Sequence, residues 1–276
     1  MAEAKTVVVS GGFDDFRSPH VRLLEEASKL GDVHVFLWSD ETLGALQGHR
    51  PKFPQAERLY LLQANRYVKN VRLVSGPVDC KCVPPVSGIN PEIWLVEEAS
   101  HNPRKQAYCE LHGIQYRILK KEDLKGFPVL PFEPPHERSA GKPVIVTGCF
   151  DWFHSGHVRF FEEVSGLGDL YVVVGHDANI RLLKGEGHPK FSQEERCYMV
   201  QSVRFVKQAL ISSGQGWMDA EPEVAIIRPE IYAVNEDGDV PEKRAFCKEH
   251  GLQYVVLKRI PKAGLPKRQS TSLRGF

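Results

Sequence analysis

The chain has 276 residues and a formal net charge of +1, from 36 basic and 35 acidic side chains. This balance gives no global electrostatic reason to expect a nucleic acid or an anionic membrane surface as a partner. No apolar run approaches the roughly 20 residues of a membrane-spanning helix, and the first residues contain no secretory segment. None of the 6 cysteines belongs to a CxxC pair, so we expect reduced thiols, no zinc site and a cytoplasmic protein.

The first half of the chain alternates short apolar runs with longer helical patterns. The apolar runs predict strands, which lie at residues 6–9, 33–38, 92–96 and 115–119. One helix is predicted to end near residues 66–68, and another ends at His112-Gly113, where glycine suits a helix C-cap. Strands that alternate with helices predict right-handed βαβ units and a parallel sheet covered on both faces.

A proline-rich stretch follows the first half. Residues 127–142 contain Pro128, Pro131, Pro134 and Pro135, and Pro143 comes directly after them. This composition predicts a stiff, extended linker or strap. It divides the chain into a first domain at residues 1–126 and a second domain at residues 143–276.

The second half repeats the first. Its predicted strands lie at residues 144–146, 170–175, 224–227 with 231–234 adjoining, and 253–257. At one constant spacing, four residues of the first half have identical partners in the second, and VRLLEEASKLGD corresponds to VRFFEEVSGLGD. The pairs are Gly11 and Gly148, Phe13 and Phe150, Asp14 and Asp151, and His20 and His157. An internal duplication of one domain explains this pattern.

The most informative stretch is GCFDWFHSGH at residues 148–157, between a predicted strand and a predicted helix. Gly148 lets the backbone approach a ligand, and Gly156 leaves room for a phosphate between His154 and His157. Free N–H groups at a helix start favour an anion, and two imidazoles can donate hydrogen bonds to oxygens that gain charge as pyrophosphate leaves. The carboxyl ends of parallel strands are where such sheets bind ligands. The stretch therefore indicates nucleotidyl transfer.

This stretch resembles the signature of the cytidylyltransferase-like nucleotidyltransferase superfamily, HxGH after a G-x-F-D turn. The resemblance implies an α/β fold with two tandem Rossmann-like, doubly wound parallel-sheet domains. It also implies that His154, His157 and Lys184 are catalytic, with Lys184 contacting phosphates from a K-G-x-x-x-P-x-x-x-x-E-R region. The implied nucleotide-binding residues are Gly148, Cys149, Phe150, Asp151, Gly156, Asp177, Arg196, Arg268, Ser270 and Thr271.

Arg196 and the C-terminal segment with Arg268, Ser270 and Thr271 belong to regions with family counterparts. Arg196 is similar to the arginine that supports the site, and RQSTSLR at residues 268–274 resembles an STT-type segment that binds the β- and γ-phosphates. The sequence departs from the cytidylyltransferase pattern at two positions. Ser272 stands where threonine is usual, and Leu265 stands where the family has an arginine before the motif. Lys267 or Arg268 is expected to substitute. The acidic loop at residues 235–239 resembles one that lies near the nucleotide.

The two copies are not equal. Arg17 replaces His154, Pro19 replaces Gly156, and Gln47 replaces Lys184. Proline removes a backbone N–H and adds bulk where the phosphate would approach. The first copy is therefore interpreted as degenerate, a pseudo-symmetric partner of a competent second copy.

The resemblance implies transfer of a nucleoside monophosphate from a nucleoside triphosphate to a small phosphomonoester, with release of pyrophosphate. CTP is favoured, with ATP as its rival, and Mg²⁺ is expected to bridge phosphate oxygens with few protein ligands and no dedicated metal site. Phosphoethanolamine, glycerol phosphate and sugar phosphates are the candidate acceptors. Tandem copies with one weakened resemble ethanolamine-phosphate cytidylyltransferases, but with the order reversed. Single-copy glycerol-3-phosphate cytidylyltransferases and heptose-phosphate adenylyltransferases are equally close by motif.

Two other functions fit the sequence less well. One is a non-catalytic nucleotide-binding regulatory protein in which both copies have decayed. The other is an adenylating enzyme similar to class I aminoacyl-tRNA synthetases, which the chain does not favour because it has no KMSKS-like loop. The sequence is compatible with a homo-oligomer and does not identify the base or the acceptor.

Overall fold

The computed structural model describes residues 4–76, 88–134 and 141–273, without the side chains of residues 271 and 272. The chain divides into two compact units, Met1–Gly126 and Phe127–Phe276. Within the described ranges, no helix is long and apolar enough to cross a membrane.

The first unit is built on one parallel sheet of five strands in the order β3-β2-β1-β4-β5. Consecutive residues Val7, Val8 and Val9 of the central strand are all buried, because helices and loops cover both faces of the sheet. The strands are β1 (Thr6–Gly11), β2 (Asp32–Trp38), β3 (Val68–Val74), β4 (Ile93–Glu97) and β5 (Gln115–Leu119). The helices are α1 (Ser18–Ser28), α2 (Asp40–Gln47), α3 (Gln55–Gln63) and α4 (Pro103–Leu111).

The second unit has the same topology, with strand order β10-β9-β6-β7-β8. Its strands are β6 (Pro143–Gly148), β7 (Asp169–Val174), β8 (Gln208–Ile211), β9 (Ile231–Asn235) and β10 (Gln253–Leu257). Its helices are α5 (Ser155–Ser165), α6 (Asp177–Lys184), α7 (Gln193–Gln201), α8 (Glu221–Ile227) and α9 (Pro241–Glu249). The prediction of two tandem, doubly wound parallel sheets is confirmed.

Three secondary-structure predictions were wrong. Residues 224–227, predicted as a strand, belong to α8, where Val224 and Ile227 are buried while Ile226 is half exposed, as an amphipathic helix requires. The helices predicted to reach residues 66–68 and 204–206 end earlier, at Gln63 and Gln201. Strands β3 and β8 follow them at the sheet edges, and the mixed polarity of an edge strand such as VKNVRLV concealed β3.

Part of the predicted linker packs against the second unit. The Phe127 ring lies 5.9 Å from that of Tyr198, and Phe132 packs against the core between β6, β9, α8 and α9. Gln208 holds the same stretch from β8, since its Nε2 donates to Pro131 O at 2.7 Å and its Oε1 accepts from Glu133 N at 3.0 Å. Residues 127–134 are therefore a strap on the second unit, whereas residues 135–140 lie outside the described ranges.

The strand order of the sheet reverses between β6 and β9. These two strands are hydrogen-bonded neighbours although they are far apart in sequence. The carboxyl ends of these strands, together with the start of α5, form the topological switch point where doubly wound sheets bind ligands. GCFDWFHSGH begins at this edge.

Candidate active site

A tight turn connects β6 to α5. Phe150 has a backbone φ of +52°, in the left-handed region that a bulky side chain rarely adopts. Its ring folds back over Gly148, where an added Cβ would lie 2.8 Å from Phe150 Cζ. The first copy repeats this turn at Phe13, with φ +48°. The first glycine of the motif therefore makes room for the phenylalanine of the same motif.

The two histidines lie on each other at the start of α5. His154 is the N-cap residue, is only 1% exposed, and its Nδ1 accepts a hydrogen bond from Gly156 N at 3.0 Å. The ring centroids of His154 and His157 are 3.9 Å apart and their planes differ by 16°. A Cβ on Gly156 would lie 2.9 Å from the His154 ring, so this glycine also allows the imidazole to lie across the helix start.

The surroundings of His157 keep its imidazole neutral. Burial holds the pKa of His157 well below its ordinary value, and His154, Arg259 and Lys184 lower it further. Phe150 packs on the ring edge-on at a centroid distance of 5.3 Å. Among the described residues, His157 Nδ1 is a buried atom with no hydrogen-bond partner. A neutral imidazole in this position is ready to hydrogen-bond with a ligand.

A cleft of about 140 Å³ opens beside His157 at the carboxyl ends of β6 and β9. Gly156 and His157 line it on the α5 side. The opposite wall consists of the end of β9 with the loop that follows it, and of the segment after β10; its residues include Asn235, Asp237, Gly238 and Arg259. The structure thus places the acidic loop and the second histidine in one cleft.

The C-terminal tail lies across the start of α5. Lys262 Nζ forms an ion pair with Glu162 Oε1 on that helix at 2.6 Å, and Arg268 O lies 3.8 Å from the position of a Cβ on Gly156. A short 3-10 helix begins at Ser270, two residues later. The tail and the histidine turn therefore lie together, as the sequence predicted, although the Thr271 side chain lies outside the described part of the chain.

Sequence reasoning missed Arg259, which fastens this tail. Its Nη2 donates to Arg268 O at 3.0 Å, and its Nη1 forms an ion pair with Asp237 Oδ2. The family spacing pointed instead to Leu265, which lies further along the tail. A usable signal was the position of Arg259 shortly after a predicted parallel strand, at the ligand-binding edge of the sheet.

Arg196 lies beneath the loops of the site. The side chain is 1% exposed, and its guanidinium donates to the carbonyl oxygens of Phe191 (3.0 Å), Cys149 (2.6 Å) and Gly175 (2.8 Å) and to Asp177 Oδ1 (2.6 Å). The thiol of Cys149 has a pKa raised by burial. Arg196 and Asp177 therefore hold the ends of β6 and β7 together.

The first copy contains the same construction without the histidine pair. Arg58 is buried and donates to three carbonyl oxygens and to Asp40, as Arg196 donates to three carbonyl oxygens and Asp177. Asp151 Oδ1 accepts from Lys190 N at 2.8 Å and from Phe191 N at 3.0 Å. Its counterpart Asp14 accepts from the matching pair, Lys52 N and Phe53 N. Arg196, Asp177 and Asp151 thus belong to the common scaffold of the two copies.

Lys184 is the last residue of α6 and is exposed. Its ammonium makes no ion pair or hydrogen bond with another described residue, yet its charge is among those that lower the pKa of His157. It therefore lies within electrostatic reach of the histidine turn while remaining open to a ligand.

The start of α1 in the first copy is arranged differently. Arg17 Nη2 forms an ion pair with Asp15 Oδ1 at 2.7 Å, and Arg17 N donates to His20 Nδ1 at 3.1 Å. Pro19 has no N–H to offer. The start of α1 thus has an arginine–aspartate ion pair and a proline where the start of α5 has two stacked histidines.

Comparison with known proteins gives consistent matches to each half of the chain. The profile of the cytidylyltransferase-like family matches residues 8–120 and, separately, residues 145–272. The bifunctional protein HldE of Syntrophotalea carbinolica is 39% identical over 130 residues, which are 46% of this chain but 25% of that protein. The chain therefore spans only a quarter of the length of that relative.

Two further similar proteins are archaeal. FAD synthase of Thermococcus kodakarensis is 32% identical over 132 residues, covering 47% of this chain and 86% of that protein. A crystal structure of the lipopolysaccharide core biosynthesis protein from Thermoplasma volcanium is 22% identical with a TM-score of 0.37, covering 47% of this chain and 100% of that one. Because the family profile matches both copies and most of the chain, the protein belongs to the cytidylyltransferase-like family of nucleotidyltransferases.

Proposed function

We propose that the second unit transfers an adenylyl group from ATP to a small phosphomonoester and releases pyrophosphate. The observation that carries this proposal is the stacked pair His154 and His157 at the start of α5, of which His157 lines one cleft with Arg259, beside the C-terminal tail. This edge combines two imidazoles and a guanidinium at a helix N-terminus, where side-chain donors and the helix dipole stabilise the charge of a leaving pyrophosphate.

The relatives support ATP better than the CTP that the sequence alone favoured. In FAD, adenosine monophosphate is joined to a flavin phosphate by one phosphoanhydride bond, so a FAD synthase makes the product of adenylyl transfer to a phosphomonoester. The acceptor of this chain is proposed only as a small phosphomonoester, with sugar phosphates as the first class to test.

The proposed reaction is a single in-line displacement. A phosphate oxygen of the acceptor forms a bond to the α-phosphorus of ATP, and the bond from that phosphorus to the bridging oxygen breaks as pyrophosphate departs with the electron pair. The acceptor is already an anion, so alignment and charge stabilisation are the tasks left to the protein.

The hydrogen bonds of the site assign a task to each side chain. Since His154 Nδ1 accepts from Gly156 N, its ring proton is on Nε2, which can donate to a phosphate oxygen. His157, kept neutral by burial, would donate to the same group of oxygens. Lys184 and Arg259 would balance the charge of the outgoing pyrophosphate from opposite sides.

The residues of the site do not form a magnesium centre of their own. Asp151 is bound by backbone N–H groups, Asp177 by Arg196 and Asp237 by Arg259. Within the described ranges, no three His, Cys, Asp or Glu side chains are grouped to hold a metal ion. Mg²⁺ is therefore expected to be held by the triphosphate oxygens, and no step is assigned to it.

The test compares histidines at equivalent positions in the two copies. We expect His157→Ala to lower kcat by roughly 10²- to 10³-fold, the usual effect of removing one transition-state donor, while His20→Ala keeps most of the activity. Pyrophosphate release is measured with ATP and with CTP, against sugar phosphates, glycerol 3-phosphate and phosphoethanolamine, and circular dichroism checks folding.

Each outcome of this experiment has a meaning. Equal losses from the two substitutions would contradict a single competent copy. Faster turnover with CTP would correct the nucleotide but leave the reaction class standing. Calorimetric binding of a nucleotide without turnover on any acceptor would identify a non-catalytic nucleotide-binding protein instead.

A further inference from the structure

We propose that Lys243 binds the nucleoside part of the nucleotide, and that it determines affinity for the nucleotide rather than the rate of transfer. This inference rests on the proposed function, because it requires a nucleoside triphosphate in the cleft beside His157. Lys243 lies on α9, far in sequence from the histidine motif, and no motif pointed to it.

Lys243 lies in the wall of the cleft beside His157. It is the third residue of α9 and lines the cleft together with Thr147, His157 and Asn235. The two histidines and the tail lie at the α5 side, where Gly156 and the tail meet, and Arg259 is bonded to this tail through Arg268 O. Lys243 belongs to the wall formed beyond β9, so the part of a nucleotide that reaches it is the base or ribose, with the triphosphate at the helix start.

The ammonium of Lys243 is held only weakly by the described residues. Its Nζ donates to Gly238 O at 3.3 Å, which is at the long limit for such a bond. Burial lowers the pKa of this ammonium, although Asp219, Asp237 and Asp239 oppose the shift. A half-buried ammonium without a close carboxylate is costly, and a ligand acceptor would reduce that cost.

The three carboxylates near Lys243 are engaged elsewhere. Asp219 Oδ2 accepts from Ser212 Oγ at 2.6 Å. Asp237 pairs with Arg259, and Asp239 pairs with Arg244 at 2.5 Å. Within the described residues, Lys243 therefore has no ion-pair partner at all, and its remaining N–H groups are available to a molecule in the cleft.

The lysine at the equivalent position of the first copy has different surroundings. Lys105 is the third residue of α4, as Lys243 is of α9, but it is 8% exposed and its Nζ lies 5.8 Å from the ring centroid of Trp94. Tyr232 takes the place of Trp94 in the second copy, and its hydroxyl is hydrogen-bonded to Thr147 Oγ1 at 2.8 Å. The lysine of the first copy thus rests on an aromatic ring, and that of the second lines the open cleft.

The closing experiment uses the full chain with Lys243→Met and, as a matched control, Lys105→Met. Methionine keeps the apolar stem of lysine and removes only the charge and the donors. We expect Lys243→Met to raise KM for ATP about tenfold, as loss of a charged hydrogen bond to a ligand does, with kcat changed less than about twofold. Lys105→Met should leave both constants unchanged.

Inorganic triphosphate is the probe that separates nucleoside from phosphate binding. It has the phosphates of ATP but no nucleoside, so its inhibition constant should be the same for wild type and Lys243→Met. An unchanged KM for ATP, or a parallel weakening of inorganic triphosphate, would overturn the proposal. If Lys243→Met does not fold, Lys243→Gln, which keeps a donor, is compared in the same way.

Failure of this proposal can be told apart from failure of the proposed function. If the wild-type protein binds ATP without turning it over, the transferase proposal fails, and the calorimetric Kd for ATP then replaces KM in the comparison. A Kd that is equal in wild type and Lys243→Met contradicts the assignment of Lys243 alone. A wild-type protein that binds neither ATP nor CTP contradicts both.

Discussion

At the scale of single residues, the two copies use histidine for opposite tasks. In the second copy the N-cap His154 accepts from Gly156 N, and His157 stacks on it and lines the cleft. In the first copy the histidine is three residues later, and His20 accepts from the N-cap nitrogen of Arg17. His20 therefore satisfies a backbone donor of its own helix, where a ligand would otherwise bind.

This structural task makes His20 sensitive to acid. Burial lowers the pKa of His20 to about 4, so the unfolded chain takes up its proton first as the pH falls below about 6.5. His20 thus stabilises the folded state above that pH, and the stabilisation is lost progressively as the pH falls towards about 4. We expect the loss from this group to reach roughly 2 kcal/mol at pH 5.

The measurement is an NMR titration of His20, together with urea unfolding of wild type and His20→Gln at pH 7 and pH 5. Glutamine at this position can still reach back to the N-cap N–H but does not titrate. The free energy of unfolding should fall less in the variant than in wild type between the two pH values. A His20 resonance that titrates near pH 6.5 would show that the ring is not held as described.

The sequence allowed prediction of His154, His157 and Gly156, because these residues are close in the chain and share one short motif. Arg259 and Lys243 were not predictable in the same way. They reach the cleft because β9 lies beside β6 in the sheet and β10 lies beside β9, which is a consequence of topology and not of spacing. Asp151 and Arg196 were correctly placed near the turn, but only the structure reveals that their polar atoms are bound to the backbone.

At the scale of secondary-structure elements, the buried arginines connect three segments of each copy. Arg196 joins the ends of β6 and β7 to the start of α7 through Cys149, Gly175 and Phe191. A helix that begins beside the site is thereby fixed relative to two strand ends. The prediction of the α8 region failed at this same scale, because a four-residue apolar run fits either a strand or one turn of a helix.

We expect Arg196→Met and Arg58→Met to destabilise their own units by similar amounts, roughly 3 kcal/mol each, because each leaves three carbonyl oxygens and a carboxylate without their donor. Urea unfolding of the full-length variants measures this. Arg58→Met should leave the activity of the folded protein unchanged. If Arg196→Met kept its stability and lost only its activity, Arg196 would be a phosphate ligand and not a structural residue.

At the scale of the whole molecule, the two units share one scaffold. Both units have the strand order that places a switch point between the first and fourth strands, and both have the buried arginine and the left-handed phenylalanine. Among the described residues, the loops at the carboxyl edge differ at Arg17 and Pro19 against His154 and Gly156. Periodicity and the internal repeat were sufficient to predict the scaffold. The arrangement of residues at the carboxyl ends of the strands depended on contacts between distant segments.

This difference between the two units predicts where a nucleotide stabilises the chain. We expect saturating ATP to slow amide hydrogen exchange at the start of α5, in residues 235–239 and in residues 258–268, since a ligand stabilises the segments that it orders. The equivalent segments of the first unit, the start of α1 and residues 97–101, should exchange at the same rate with and without ATP. Hydrogen exchange followed by mass spectrometry on the full chain measures both units in one sample. Equal protection of α1 and α5 would mean that Arg17 and Pro19 still permit nucleotide binding, and the first unit would then be a second nucleotide site.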